Sequence, residues 1–232
     1  MSNAITTSFK ITCNGVTKDS LTDYEWALNN PSDCIGDPVK QSSIVTVPFG
    51  KTYDLADEIL GFPWFINRPI TLKLGYKIDL SNTNHRDYIS NLRNLYEGQR
   101  IWLKFDGDTY IWDGTAYIRN ATANRTLGEF ELYIDAEGTK KQTTASANVS
   151  VPGTSTSFTP GSPYPTQLYV TGTFDAATTF ATTINSQTYT YVLQSGTYSD
   201  YPLPAFYVAT NNVTLSGSWT SNIKLDYYRR SL

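Results

Sequence analysis

Reactive side chains are scarce in this chain. One histidine (His85), two cysteines (Cys13 and Cys34) and one methionine are spread over 232 residues. A single histidine excludes a three-histidine zinc site, an HExxH helix and a Cys/His zinc finger. It leaves a histidine-dependent triad with one candidate. Two cysteines are too few for a disulfide framework, and their spacing leaves open whether they pair or stay as thiols. Charged residues make up only 17% of the chain, with a formal net charge of -3, so no overall basic field is available for nucleic acid. A basic start followed by a long apolar run is missing, so neither a signal peptide nor a membrane span is expected. No GxSxG elbow, phosphate loop or GxGxxG after a strand occurs. Asp57 and Glu58 are adjacent, and adjacent residues on a short helix do not face a common cleft. Asp106-Gly107-Asp108 lacks EF-hand spacing. No catalytic residue, metal or cofactor is expected, and the chain reads as a non-enzyme.

What is present is apolar and aromatic: 40% hydrophobic residues and 14% aromatics, including 17 tyrosines. The length suits two domains. Between Gln142 and Ile223 the only side chains charged at neutral pH are Asp175 and Asp200, whereas the preceding region holds nearly all the other charges. This shift places a boundary within 138–150 and divides the chain into domains 1–140 and 141–232. The run TTASANVSVPGTSTSFTPGSPYP at that boundary reads as a turn-rich connection.

Several elements are legible in the first region. Residues up to Asn14-Gly15 read as a strand entering a hairpin turn. Ile44 to Val47 reads as a strand ended by Pro48, and Asp54 to Leu60 as one or two helical turns capped by Asp54. Ile70, Leu72, Leu74, Tyr76, Ile78 and Leu80 alternate with polar residues, the period of a half-buried strand. Unbroken, that strand is roughly 35 Å long; it is either one arm of a protruding hairpin or bent at Gly75. A helix follows, capped by Asn84 with Asp87 completing a capping box. Tyr88, Leu92, Leu95 and Tyr96 form its apolar stripe, and Gly98 stops it. His85 falls in its first turn, solvated or locally bonded. Ile101, Leu103 and Phe105 lead through Asp106-Gly107-Asp108 to Tyr110 and Trp112, a hairpin. Phe130, Leu132 and Ile134 then alternate against Glu129, Glu131 and Tyr133.

The second region carries only strand signals: QLYVTGTF, SQTYTYVLQSG, PAFYVA, NNVTLSGSW and NIKLDYYRR. Their spacing suits a small sandwich or distorted barrel. The fold class is therefore mainly β: an N-terminal antiparallel β domain with one helix and a projecting hairpin, plus a small C-terminal β-sandwich-like domain. Its hydroxyl-rich, tyrosine-rich faces fit either sugar contact or packing and interface contact. Arg68, between an aromatic cluster and the long strand, is placed to stack or to pair with a carboxylate and fix a turn or subunit contact, or else faces solvent. Arg229-Arg230 reads as a phosphate contact or, more simply, a salt-linked or solvated terminus.

Four segments in order resemble the distal tail proteins (Dit) of long-tailed bacteriophages. They are VTVPFGKTYDLADEILGFPWFINRPITLKL, RDYISNLRNLYEGQRIWLKFDGDTYIWDGTAYI, SPYPTQLYVTGTF and ATNNVTLSGSWTSNIKLDYYRRSL. The resemblance implies a virion structural protein of the siphophage tail tip or baseplate, assembled in the cytoplasm of the bacterial host. Such proteins form a homo-hexameric ring whose partners are the tail tube protein, the tail-associated tip protein and, in some phages, a receptor-binding protein. DNA passes through the ring without sequence-specific binding. The family's second domain is a peripheral, galectin-like or carbohydrate-module-like sandwich. With this use the long strand supplies the subunit interface, through Arg68, Leu72, Leu74, Tyr76 and Ile78. Two other readings stay open: a carbohydrate-binding surface module, and a prophage or injection-machine baseplate adaptor.

Overall fold

The computed structural model describes residues 8–40, 44–46, 52–54, 65–78, 84–124, 126–184 and 186–232. It divides into two compact units, Met1–Lys40 with Phe65–Lys140, and Gln41–Trp64 with Lys141–Leu232.

The first unit opens with β1 (Phe9–Cys13), β2 (Val16–Asp19), β3 (Ala27–Leu28) and β4 (Val39–Lys40). A separate hairpin of β5 (Ile44–Thr46) and β6 (Thr52–Asp54) follows in sequence. The unit resumes with β7 (Phe65–Lys77), α1 (His85–Tyr96), β8 (Arg100–Phe105), β9 (Tyr110–Ala123) and β10 (Leu127–Glu137). These strands form one antiparallel sheet in the order β2-β1-β8-β9-β10-β7-β3, with β4 also on β7. The β1–β2 turn has φ of 50° at Asn14 and 77° at Gly15, the paired positive values that a two-residue hairpin requires. On β7, Ile70, Leu72, Leu74 and Tyr76 are buried while Lys73 and Lys77 are exposed. Leu72 faces Leu132, Leu74 faces Phe130 and Ile70 faces Ile134 of β10.

β10 pairs with this strand without a break from Lys77 to Asn67, and no register shift falls at Gly75. Its other edge is closed by the chain's own residues 27–40. Asn29 N–H donates to the Lys73 carbonyl (2.8 Å), Thr71 N–H to that of Cys34 (2.7 Å) and Gly36 N–H to that of Pro69 (2.8 Å). The Asn30 side chain donates to the Thr71 carbonyl (2.9 Å) and accepts from Lys73 N–H (2.8 Å), in the manner of a neighbouring strand. Asp54 ends β6; the rest of the helix expected over 54–60, like Val47, Pro48 and Leu80, lies outside the described residues.

Helix α1 begins as expected. Asn84 Oδ1 accepts from Arg86 N–H (3.0 Å), satisfying one of the helix's free donors, and Asp87 adds favourable charge in the first turn. No reciprocal bond from Asp87 accompanies it in the described cap. Ile89, Leu92 and Tyr96 face the sheet, whereas Leu95 is 52% exposed. One residue is a 100° rotation, which carries Leu95 off the buried stripe. Gly98, at φ 71°, ends the helix, and Glu97 Oε2 accepts from Ile118 N–H of β9 (2.8 Å).

An aromatic wedge fixes the helix to the sheet. Trp26 is buried, stacked on Tyr24 at 4.2 Å and edge-on to Phe130 at 5.2 Å. Its Nε1–H donates to the Tyr88 hydroxyl (2.7 Å). The Tyr24 and Tyr96 hydroxyls bond at 2.5 Å, and Tyr76 stacks on Tyr88 at 4.3 Å. His85 is half-buried, bonded through Nδ1 to the Tyr76 hydroxyl, so of the two expected states it takes the locally bonded one. Burial raises the Tyr88 and Tyr96 hydroxyls above their ordinary value. It pushes Tyr76 from 10.0 up to about 12, with Tyr88 adding to the effect.

Strand β11 (Lys140–Gln142) falls where the first unit ends at Lys140 and the second resumes at Lys141. The second unit contains β12 (Ser146–Ser150), β13 (Gly153–Phe158), β14 (Thr166–Phe174) and β15 (Ala176–Ile184). It continues through β16 (Gln187–Leu193), β17 (Gly196–Val208), β18 (Val213–Trp219), β19 (Ile223–Tyr227) and β20 (Arg230–Ser231). Sheets β12-β19-β14-β17 and β13-β18-β15-β16 share one core. Leu168, Val170, Leu203, Phe206 and Leu225 come from the first; Phe180, Leu215 and Trp219 come from the second. This is a sandwich, not a barrel. The boundary segment expected to be a connection contains β12 and β13. Both are edge strands; β12 mixes Ser146 and Ser150 with Ala147, Asn148 and Val149, β13 is mostly Ser and Thr, and among the described side chains of β13 only Phe158 is buried in the core. They give little apolar period to read. β15 was hidden for a related reason: its inward positions include Thr178 and Thr182. Their hydroxyls are spent on the carbonyls of Ala176 (3.2 Å) and Asn212 (3.0 Å).

Two predictions follow from this packing. A tyrosine whose folded pKa is raised favours the neutral form in the fold, so its contribution is intact below the unfolded value and is lost as pH climbs to the folded one. Thermal melts should therefore hold steady up to about pH 10 and fall between 10 and about 12. Tyr76→Phe should flatten part of that slope; an unchanged slope would remove Tyr76 from the effect. Separately, a Cβ on Gly114 would stand 2.5 Å from Ala136 Cα and from the Asp135 carbonyl oxygen. Both are backbone, so Gly114→Ala must splay β9 from β10. Denaturant unfolding should show a loss of about 3 kcal/mol.

Candidate interaction surface

Alternation divides the side chains of the first sheet between two faces. The inner face is covered by α1 and the Tyr24–Trp26 segment. The outer face carries Arg100 and Trp102 of β8, then Asp113, Thr115, Tyr117 and Arg119 of β9. β10 contributes Glu129, Glu131, Tyr133, Asp135 and Glu137, and β7 contributes Thr71, Lys73 and Lys77. Among the described residues of this unit, no helix packs on that face.

At one end of the face, Asp113 is 2% exposed and organises its neighbours. Its Oδ1 accepts from Arg100 Nε (2.7 Å) and its Oδ2 from Trp102 Nε1 (3.1 Å), and Arg100 Nη2 also donates to Glu137 Oε1 (2.7 Å). The bond to Asp113 raises the Arg100 pKa further. Trp102 itself is 44% exposed. An open cleft beside these groups is lined by Ile66, Asn67, Thr115 and Asp135. Asn67 donates to Asp135 Oδ1 at 3.0 Å. Further along, Arg119 stacks on Tyr133, its Cζ 3.6 Å from the ring centroid, and lies 5.7 Å from that of Tyr117. A fixed tryptophan and stacked arginine belong to the residue types that dominate protein interfaces.

The residues expected to form a subunit interface are differently placed. Leu72, Leu74 and Tyr76 are at most 5% exposed, in the unit's own core. They have no area left for a neighbour, and the β7 edge beside them is already closed. Ile78 packs against the same core. Arg68 is half-buried, with its guanidinium 5.1 Å from the Trp112 ring centroid, so it does stack on an aromatic. The aromatic belongs to β9. Lys140 Nζ lies 5.8 Å from the same ring. In the second unit, Arg229 Nε donates to the Gly161 carbonyl (2.8 Å), and Arg230 N–H to Ser162 Oγ (3.0 Å). The first is a loop clamp. Cys13 and Cys34 are both free thiols. Among the described residues, no three His, Cys, Asp or Glu side chains gather as metal ligands, and no helix is long and apolar enough to cross a membrane.

The outer-face residues Arg100, Trp102, Asp113, Tyr117 and Arg119 were not singled out from sequence. Their signal was present, because each occupies the polar phase of an alternating strand. Which polar positions oppose one another depends on register, which a single strand does not reveal.

Two solved phage proteins have a similar fold. The Dit protein (gp 19.1) of phage SPP1, described as a paradigm of the hub adsorption apparatus in phages infecting Gram-positive bacteria, matches with a TM-score of 0.59. The match has 12% identity and covers 97% of this chain and 99% of that one. A chain of the phage P2 baseplate, in its activated conformation with Ca, matches with a TM-score of 0.52 and 9% identity, over 97% and 98% of the two chains. No protein-family model and no curated relative matches the chain. The chain therefore has the Dit fold along nearly its whole length, and the mainly β class expected from sequence is the one observed.

Removing the Asp113 carboxylate should release both Arg100 and Trp102. Asp113→Ala should cost about 1 kcal/mol, the net worth of an ordinary hydrogen bond, because Arg100 and Trp102 are exposed and water can take their freed donors. It should also shift the emission contributed by Trp102, read as a difference against a Trp102→Phe background. Unaltered emission and stability would show that the carboxylate does not hold the indole.

Proposed function

We propose that this chain is a structural protein of a phage tail tip or baseplate. It forms a hexameric ring that joins the tail tube to the tip protein and leaves a channel through which DNA passes. The observation that supports this best is the extent of the structural likeness. It covers both units, in order, and nearly all of the SPP1 Dit chain as well. A carbohydrate module with an attached β domain would share the sandwich and not the first unit. The shortage of catalytic side chains fits a role that depends on shape. On this reading residues 1–140 build the ring, and 141–232 form a peripheral domain that contacts other baseplate proteins. Assembly takes place in the host cytoplasm, and Arg68 stiffens the ring-forming unit through its stack on Trp112.

Six chains of 25.9 kDa give a particle of about 155 kDa. Negative-stain images of the purified protein, or of tails containing it, should show rings with a central hole. A strict monomer over a wide concentration range, together with no ring density at the tip of isolated tails, would overturn the reading.

A further inference from the structure

Arg119 is exposed, yet it is already held in one place by Tyr133 and Tyr117. Glu131 stands directly opposite it in the β9–β10 register. The two nevertheless do not pair: Glu131 Oε2 accepts from Asn120 Nδ2 at 2.6 Å. Among the described residues Arg119 meets no carboxylate. A guanidinium stacked through its face keeps the N–H groups at its edge available, with much of its side-chain entropy already lost. That geometry suits a bidentate oxygen acceptor, either a carboxylate or a phosphate.

The surroundings decide between the two. Around Arg119 the outer face carries Glu131 directly opposite and Glu129 next along β10, with Lys73 facing Glu131 from β7. A nucleic-acid backbone is bound by a stripe of cations, and the mixed charges around Arg119 do not form one. A single carboxylate needs only one fork. We infer that Arg119, held on Tyr133 and Tyr117, is the docking point for an Asp or Glu carboxylate of a second copy of this chain.

The choice of a second copy rests on the ring reading. In a ring, one face of each subunit meets a different face of the next, and this chain supplies 21 acidic residues against 18 basic. The size of the face agrees. Strands β7, β8, β9 and β10 are 13, 6, 14 and 11 residues long; at about 3.3 Å per residue and about 4.8 Å between strands they span about 700 Å². A lasting complex uses roughly 800 Å² per partner, so the face is large enough to carry most of one subunit contact.

The test is sedimentation velocity on the full-length protein over a range of concentrations. Wild type is compared with Arg119→Ala, Arg119→Lys and Arg119→Glu. The residue is exposed, so all four proteins should melt within about 2 °C of one another. Arg119→Glu should raise the concentration for half-assembly at least tenfold, Arg119→Ala severalfold, and Arg119→Lys less than Arg119→Ala. Added salt should weaken wild-type assembly more than that of Arg119→Ala. If wild type forms rings and the Ala and Glu variants form them equally well, the docking point is wrong and the ring stands. If labelled DNA is retained by wild type and lost from Arg119→Ala with assembly unchanged, the acceptor is a phosphate and the inference falls. A wild type that stays monomeric counts against the ring, and this contact falls with it.

Discussion

The first unit depends on one buried wedge, in which the Trp26 indole lies against Tyr24 and Phe130 and is bonded to Tyr88. Most of the rest of this unit is arranged around it. The wedge joins three parts of the chain that sequence alone leaves unconnected: the polar segment after β2, the helix and the central strands. It draws α1 onto one face of the sheet; among the described residues of this unit, no helix packs on the other. Large aromatic rings suit this task because each contributes much apolar area, and Tyr and Trp each keep a polar atom that needs a partner. Here the polar atoms satisfy one another, Trp26 with Tyr88 and Tyr24 with Tyr96. The cluster therefore specifies a geometry as well as burying surface.

The second unit solves a different problem. It has very few charges with which to stay wet, and its outer surface relies on hydroxyl groups. Threonines pair across strands, as Thr173 with Thr197 at 3.0 Å and Thr183 with Thr188 at 3.1 Å. Threonine's branched Cβ also favours the strand. One residue type thus supplies β propensity, solubility and lateral bonding. The same economy hid strands from view, because a threonine gives no apolar period whichever face it occupies.

What was legible in the sequence is what local chemistry encodes. The Asn14-Gly15 turn, the Asn84 cap, the alternation of β7 and β10 and the Gly98 stop all depend on residues close together in the chain. Each appears where expected. What was not legible depends on distant partners. Leu72, Leu74 and Tyr76 look identical whether the face they share is a core or an interface. Only the placement of Trp26 and α1 decides that it is a core. The 27–40 segment carries no clear period because it follows β7 by single bonds, some of them made by the Asn30 side chain instead of a ladder. Tyr117, Arg119 and Tyr133 become a cluster only once the β9–β10 register is set, and that register contains a bulge between Glu129 and Glu131.

The closed edge of β7 has a consequence for how the chain behaves among its own copies. A bare strand edge is a template, ready to accept any extended segment that arrives, including an identical one in the wrong orientation. By using residues 27–40 to occupy the edge of β7, the chain removes that template before any neighbour is met. At β7, recognition is left to side chains on a face, which are particular, and not to backbone, which every protein shares. That edge is thereby closed to open-ended fibrous growth.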